Sequence, residues 1–260
     1  MTAASLFLSH GSPMMILEDT PARRFIAGLG PNLGKPAAVV VASAHWLTPA
    51  PRVGGDPHPA KINDMSGFPA QLYRMTYQPA GAPALAERIV ALLGDTAAVD
   101  PGRGIDHGIW SVMSLIWPDA DIPVVPLSIQ SDRSPRHHYE MGRRLASLAA
   151  DGVLVIGSGA ATHNLADYFH RAGDPATGQA SRDFTDWLAQ ATQDGDIDAL
   201  LDYRARAPAA IRAHPTDEHL LPFFVALGAA AGGRGERVHA SLDGGSLAMD
   251  CYAFRLPESA

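Results

Sequence analysis

Short apolar segments alternate along the chain with stretches of helical length. Four segments are rich in branched apolar residues and have the length of strands, which predicts buried strands at residues 6–8, 37–42, 122–129 and 153–156. Helical periodicity or helix-start residues predict helices over residues 83–93, 134–148, 181–193 and 217–228. This alternation indicates an α/β fold with a central sheet.

The C-terminal part of the chain has a different pattern. Residues 237–242 and 246–256 alternate apolar and polar side chains, and Asp243-Gly244-Gly245 between them is a hairpin signal. No sequence period recurs, and proline and glycine do not collect into a linker. We therefore expect one α/β domain over residues 1–260, with a central mixed sheet flanked by helices on both faces.

Composition excludes several classes of partner. The chain has 260 residues, of which 47% are hydrophobic and 18% charged, as in ordinary globular proteins. The net charge of −7 gives no basic face for a phosphate backbone, so nucleic acid is not an expected partner. The first residues lack a basic segment, and no stretch reaches the roughly 18 apolar residues of a membrane span. We expect no membrane partner and a cytoplasmic location.

The cysteine and histidine counts limit the available chemistry. The only cysteine is Cys251, which excludes an internal disulfide framework and any cluster of thiolates. Imidazole and carboxylate remain as the strong ligands for a metal ion. The eleven histidines are therefore the main candidates for metal ligands.

Two histidines follow predicted buried strands. They lie in Ser9-His10-Gly11-Ser12-Pro13 and in Ser43-Ala44-His45-Trp46. The glycine and proline after His10 predict a tight turn directly after the strand. One such histidine is more often a hydrogen-bonded structural residue, but two at the ends of neighbouring strands indicate convergent ligands. Open α/β sheets bind their ligands at the carboxyl ends of strands, so we predict a metal site there.

Further histidines have informative neighbours. His163 lies in a loop of small residues that follows the strand predicted at 153–156, and His107 lies between Asp106 and Gly108. His214 precedes Pro215 and is expected to be extended. We expect five others, in polar segments or an outer strand, to be solvated or incidental: His58, His137, His138, His170 and His239.

His219 is placed at the start of the helix predicted over 217–228. Thr216 is a candidate cap for this helix, with Asp217 and Glu218 in its first turn. Adjacent helical residues point about 100° apart. His219 is therefore expected to face inward only if Glu218 faces elsewhere, which leaves Glu218 to support the helix start or a ligand imidazole.

Six ordered motifs together resemble a known family. The chain resembles the class III extradiol ring-cleaving dioxygenases, specifically their 4,5-DOPA dioxygenase extradiol branch, from about residue 6 to residue 256. The motifs are Ser9-His10-Gly11-Ser12-Pro13, Ser43-Ala44-His45-Trp46, Gly67-Phe68-Pro69, Asp106-His107-Gly108, His163-Asn164-Leu165 and Glu218-His219-Leu220-Leu221-Pro222.

The resemblance implies a single catalytic domain that opens a small aromatic diol with dioxygen at one divalent metal. It implies that His10, His45 and His219 bind the metal, with His214 a weaker candidate. His163 would be an acid/base group or a further ligand, and His107 would orient substrate or stabilise an oxygen-derived anion. Because a phenol has a pKa near 10, a histidine titrating near 6.5 suits the role expected of His163.

The metal and the substrate stay open at this point. Non-haem iron oxygenases usually bind iron through two histidines and one carboxylate, whereas three neutral histidines also suit zinc, so both Fe²⁺ and Zn²⁺ are considered. DOPA, dihydroxyphenyl acids and gallate-like diols are all compatible with the motifs. A zinc-dependent hydrolase of an amide, ester or lactone, in which His163 activates water, is the alternative function. A module that only binds metal or a phenolic ligand is a third.

Overall fold

The structure is a computed structural model that describes residues 3–171, 173–232 and 234–256. Its strands are β1 (Ser5–Ser9), β2 (Ala38–Leu47), β3 (Arg52–Gly54), β4 (Ala98–Asp100), β5 (Val124–Ile129), β6 (Val153–Gly159), β7 (Gly235–His239), β8 (Leu242–Asp243), β9 (Leu247–Ala248) and β10 (Cys251–Phe254).

The helices follow the same chain order, and two short 3₁₀ helices lie at Pro13–Ile16 and Ala146–Asp151. The α helices are α1 (Pro21–Ala27), α2 (Gly30–Leu33), α3 (Ala70–Arg74), α4 (Pro83–Leu93), α5 (His107–Ile116), α6 (Pro135–Leu145), α7 (Leu165–His170), α8 (Pro175–Asp194), α9 (Ile197–Leu201), α10 (Tyr203–Arg206), α11 (Ala210–Ala213) and α12 (Leu221–Ala229).

An eight-stranded mixed sheet forms the centre of the domain. Its strand order is β4-β3-β5-β2-β6-β1-β10-β7, and β8 pairs separately with β9. The four central strands β5, β2, β6 and β1 are parallel, while β3 and β10 run antiparallel to their central neighbours. The carboxyl ends of the four central strands therefore meet at one edge of the sheet, and the candidate functional site lies there.

Alternate residues of the central strands supply two apolar cores, one on each face. Phe7 and Val40 belong to the core that α4, α6, α8 and α12 cover. Leu6 and Val41 belong to the core that α1 and α5 cover. Successive strand residues point to opposite faces, so strands buried on both faces read as continuous apolar runs. The expected α/β fold with helices on both faces is confirmed.

Most predicted elements are confirmed, with shifted ends. The four predicted strands correspond to β1, β2, β5 and β6, and the helix predicted over 83–93 is α4. The helix predicted over 134–148 ends earlier, at Leu145, and the one predicted over 181–193 is part of the longer α8. The strands β3 and β4 were not predicted, nor were the helices α1, α2, α3, α5, α7, α9, α10 and α11. Among the described residues, no helix has the length and apolar character needed to cross a membrane.

The predicted C-terminal hairpin is partly confirmed. Strands β7 and β10 pair antiparallel, with a shift in register between Cys251 and Tyr252. The turn Asp243-Gly244-Gly245 does not join them directly, because it connects β8 and β9 in a small sheet of their own.

Candidate metal centre

His10 follows the last residue of β1 and is almost fully buried. Its Nδ1 lies 3.0 Å from Oγ of Ser158, at the end of β6. The Ser158 hydroxyl donates its hydrogen to the carbonyl oxygen of Gly108. It therefore accepts from His10, which fixes the proton of His10 on Nδ1 and leaves the Nε2 lone pair directed into the site.

His45 lies near the end of β2, and its Nε2 is 3.0 Å from Nε2 of His10. The expectation that these histidines follow neighbouring strands is wrong, because β6 lies between β1 and β2. The pairing of β2 with β6 ends at Ser43, so β2 continues past the end of β6. Two strand spacings, about 9–10 Å, separate the backbones of β1 and β2, and the imidazoles close this gap across the end of β6.

His107 is the first residue of α5, and its partner is Asp64. Oδ1 of Asp64 accepts the backbone N–H of His107 at 2.9 Å, and Oδ2 accepts the ring Nδ1–H at 2.8 Å. Burial alone would raise the pKa of Asp64, but its hydrogen bonds from His107 and its electrostatic interactions with His107 and His45 lower it, so the carboxylate is ionised. Asp106, the expected neighbour of this imidazole, instead accepts from Ser43 Oγ at 2.7 Å and forms an ion pair with Arg103.

Gly108 allows α5 to approach the site. A Cβ at this position would lie 2.8 Å from Ser43 Oγ and 3.2 Å from Cδ2 of His45. A residue without a side chain is therefore required where α5 meets Ser43 and His45.

His219 precedes α12 and does not lie within it. The helix begins at Leu221, so the prediction that it starts at Asp217 with a Thr216 cap is wrong. Nδ1 of His219 lies 3.0 Å from Oε1 of Glu218, and the Thr216 hydroxyl donates to the same oxygen at 3.1 Å. In this turn adjacent side chains are not held about 100° apart, so Glu218 and His219 both face the site.

The segment that carries His219 rests on the end of β6. The backbone N–H of Ala160 donates to the carbonyl oxygen of His219 at 2.9 Å. A Cβ on Gly159 would lie 2.0 Å from that oxygen, so a residue without a side chain is required there.

His163 stacks on His219, with ring centroids 3.4 Å apart and ring planes 10° from parallel. Its Nδ1 lies 3.9 Å from Oε1 of Glu218. About a fifth of its side chain is exposed (21%), more than for His219 (7%). His163 therefore lies at the rim of the site, where a ligand can reach it.

Burial sets the charge of these imidazoles. Desolvation is the largest cause that lowers the pKa of His10, His45, His163 and His219, and repulsion among the histidines adds to it. The pKa of His163 falls to about 3, well below the value near 6.5 expected from the sequence. All four rings are neutral at pH 7, which is the form that binds a metal ion.

Among the residues that the structure describes, two groups of side chains have ligand atoms within 4.8 Å of one another: His10, His45 and His107, and His163, Glu218 and His219. The three predicted ligands are therefore divided between the two groups, with His219 in the second. The rings of His10, His45 and His219 form a nearly regular triangle, with centroid separations of 4.9, 5.0 and 5.5 Å. Buried neutral imidazoles with carboxylate or hydroxyl partners are typical of zinc and ferrous sites. The donor set therefore fits one divalent transition metal.

The other histidines lie outside these groups. His214, with φ −131° and ψ 86°, lies outside the helical region and close to the extended backbone that was predicted. It is fully buried, and its Nε2 donates to the carbonyl oxygen of Ala161 at 2.8 Å. Its ring contacts Phe184 in an edge-on arrangement. His138 is also fully buried, so the expectation that it is solvated is wrong. Its Nε2 accepts the backbone N–H of Gln130 at 3.1 Å, and burial lowers its pKa to about 4.

Comparison with known proteins gives consistent matches over most of the chain. Residues 4–246 match the family described as the catalytic LigB subunit of aromatic ring-opening dioxygenase. The 4,5-DOPA dioxygenase extradiol of Beta vulgaris is 40% identical over 258 residues, covering 96% of each chain. The protein of the same name from Escherichia coli K12 is 40% identical over 231 residues, covering 86% of this chain and 84% of that one.

A solved structure has the same fold. The crystal structure of an uncharacterized protein from Escherichia coli K12 superposes with a TM-score of 0.79 at 34% identity. The match covers 96% of this chain and 98% of that chain. The two proteins therefore share this fold over nearly the whole of both chains.

Proposed function

This chain belongs to the LigB family of extradiol aromatic ring-opening dioxygenases, and we propose that its substrate is a catechol-type diol, DOPA or a related small molecule. We further propose that His10, His45 and His219 hold one divalent metal. The observation that carries the proposal is the near-regular triangle of these three rings at the carboxyl edge of the sheet. Hydrogen bonds from Nδ1 of His10 to Ser158 and from Nδ1 of His219 to Glu218 leave both Nε2 atoms free to bind.

Fe²⁺ is the metal that we propose for ring opening, with Zn²⁺ as the alternative occupant. When bound, ferrous iron would supply the redox chemistry through which electrons pass from the diol to dioxygen, whereas zinc has no redox chemistry. The neutral ligand set leaves the positive charge of the metal uncompensated. It therefore favours an anionic ligand such as a deprotonated diol.

His163 is the proposed acid/base residue. The second phenol of a diol has a pKa near 10, so its proton must be taken by a base at neutral pH. His163 is neutral because burial lowers its pKa to about 3, and its partial exposure allows contact with substrate. An anionic diol beside the ring favours the imidazolium and raises this pKa, so that His163 can accept the proton and return it later.

His107 is proposed to orient the substrate. Asp64 holds its proton on Nδ1, so the Nε2 lone pair accepts a hydrogen bond from a substrate hydroxyl. If that proton is transferred, the imidazolium formed beside the Asp64 carboxylate stabilises negative charge that develops on oxygen.

An oxygen electrode tests the proposal. The protein is reconstituted anaerobically with Fe²⁺ or Zn²⁺ and then mixed with DOPA, dihydroxyphenyl acids or gallate in aerated buffer. We expect oxygen uptake that matches substrate loss for the ferrous protein only. L-tyrosine, which has the side chain of DOPA without one hydroxyl, is the matched control and should give no uptake.

The same preparations separate the alternative functions. Hydrolysis of an ester, amide or lactone by the zinc protein without oxygen, together with no uptake by the ferrous protein, would favour the hydrolase. Family membership favours the dioxygenase over both the hydrolase and a module that only binds a ligand.

A further inference from the structure

Asp64 is a carboxylate that none of the six sequence motifs contains. It lies in the loop between β3 and α3, and its side chain is 21% exposed. Its two oxygens accept two hydrogens of the same residue, the backbone N–H and the ring Nδ1–H of His107. This double contact fixes the start of α5 and the orientation of the imidazole together.

Asp64 also faces a second imidazole. Its Oδ2 lies 3.8 Å from Nδ1 of His45. For His45 to offer a lone pair on Nε2 to a cation, its proton must be on Nδ1. The carboxylate that faces this nitrogen is Asp64.

The other side of the site repeats this arrangement. Oε1 of Glu218 lies 3.0 Å from Nδ1 of His219 and 3.9 Å from Nδ1 of His163. Each carboxylate thus directs one oxygen at the Nδ1 atoms of two imidazoles, one within hydrogen-bond distance and one slightly beyond it. The closer imidazole is the proposed ligand His219 for Glu218, whereas for Asp64 it is His107 and the proposed ligand His45 is the more distant one.

We propose that Asp64 is a positioning residue that keeps the ring protons of His107 and His45 on Nδ1, so that both Nε2 atoms face the site unprotonated. The inference rests on the proposed function because it gives these lone pairs a ligand to bind. Asp64 itself touches neither substrate nor metal and acts through the two imidazoles.

The substitution Asp64→Asn tests the role of the carboxylate. An amide has one acceptor oxygen for the two N–H groups of His107. The NH₂ group of the asparagine would therefore face the second N–H group, and two donors cannot form a hydrogen bond. The backbone N–H cannot change, but the ring can move its proton to Nε2 and accept from the amide through Nδ1. Nitrogen-15 NMR of protein labelled at histidine shows which ring nitrogen carries the proton. Spectra are recorded without metal and with diamagnetic Zn²⁺, and the signals of His107 are identified by their loss in His107→Gln.

We expect Nδ1–H for His107 in the wild-type protein and Nε2–H in Asp64→Asn. We also expect zinc affinity to fall by up to about tenfold in the variant, measured by competition with a chelator, because Asp64 faces Nδ1 of the proposed ligand His45 at 3.8 Å. Asp106→Asn is the matched control, because Asp106 is buried and adjacent to His107 in sequence but binds Ser43 and Arg103. In this control the ring proton of His107 should stay on Nδ1.

Two results would overturn the role of Asp64. One is Nε2–H on His107 in the wild-type protein, a measurement that does not depend on any variant folding. The other is an unchanged proton position and zinc affinity in Asp64→Asn. Neither readout needs turnover, so the expected spectra together with no oxygen uptake on any diol would refute the proposed function and leave the role of Asp64 intact.

Discussion

The substitution Glu218→Gln separates a carboxylate that supports a ligand from one that is itself a ligand. Oε1 of Glu218 accepts Nδ1–H of His219 at 3.0 Å, and this hydrogen bond is the largest cause of the lowered pKa of Glu218. Glutamine keeps an acceptor oxygen but loses the charge. A hydrogen bond to a charged group contributes about 1.5–3 kcal/mol and a neutral one about 0.5–1.5 kcal/mol, so we expect a loss of roughly 1–1.5 kcal/mol.

Since 1.4 kcal/mol corresponds to a factor of ten, zinc affinity should fall about tenfold in Glu218→Gln. Glu218→Ala removes the acceptor and should approach the 100-fold limit for partners of metal ligands. His219→Gln should lose most of the bound metal, since it removes the proposed ligand itself. Chelator competition gives the affinities, and metal analysis after dialysis gives the content. The reasoning is refuted if Glu218→Gln empties the site while His219→Gln keeps its metal, because the site would then contain two histidines and one carboxylate.

Three further predictions concern other parts of the structure. His163→Ala should still bind diol in anaerobic spectra but lose about 10²–10⁴-fold in turnover, and loss of metal in this variant would make His163 a ligand. Gly108→Ala places a Cβ 2.8 Å from Ser43 Oγ and 3.2 Å from the His45 ring. We expect thermal unfolding to show a free energy of unfolding lower by about 1–3 kcal/mol, together with weaker zinc binding. Unchanged zinc affinity would contradict this prediction. The pKa of His138 is about 4 when folded and about 6.5 when unfolded, so its contribution to stability is intact above pH 6.5 and declines as the pH falls. In urea unfolding of the metal-free protein, the free energy of unfolding should fall between pH 7 and pH 5 by about 2 kcal/mol less in His138→Gln than in the wild-type protein. An identical pH dependence in both proteins would contradict this prediction.

The central strands and the edge that carries the site could be predicted from the sequence. Buried parallel strands read as continuous apolar runs, and residues just after such runs must lie at the carboxyl edge. This reasoning located His10, His45 and His163 correctly. It could not give the strand order, because the residues of β1 and β2 do not indicate that β6 lies between these two strands.

Two errors had signals in the sequence that would have corrected them. Pro222 is typical of the first turn of a helix, so it marks a start near Leu221 instead of Asp217. His138 is one of several residues of α6 that lie on its buried face at helical spacing, together with Met141 and Leu145. Asp64 had no such signal, because its loop has no periodicity and its partner His107 is 43 residues away in the chain.

The convergence of His10, His45 and His219 from distant parts of the chain links metal binding to folding. A cation bound by all three would join segments that are far apart in the unfolded chain, so it has little affinity for the unfolded state. By mass action, free metal at 1,000 times its dissociation constant then adds about 4 kcal/mol to the free energy of unfolding. The melting temperature of this protein should therefore depend on metal concentration. Chelators should lower it even though the packing of the two apolar cores is unchanged.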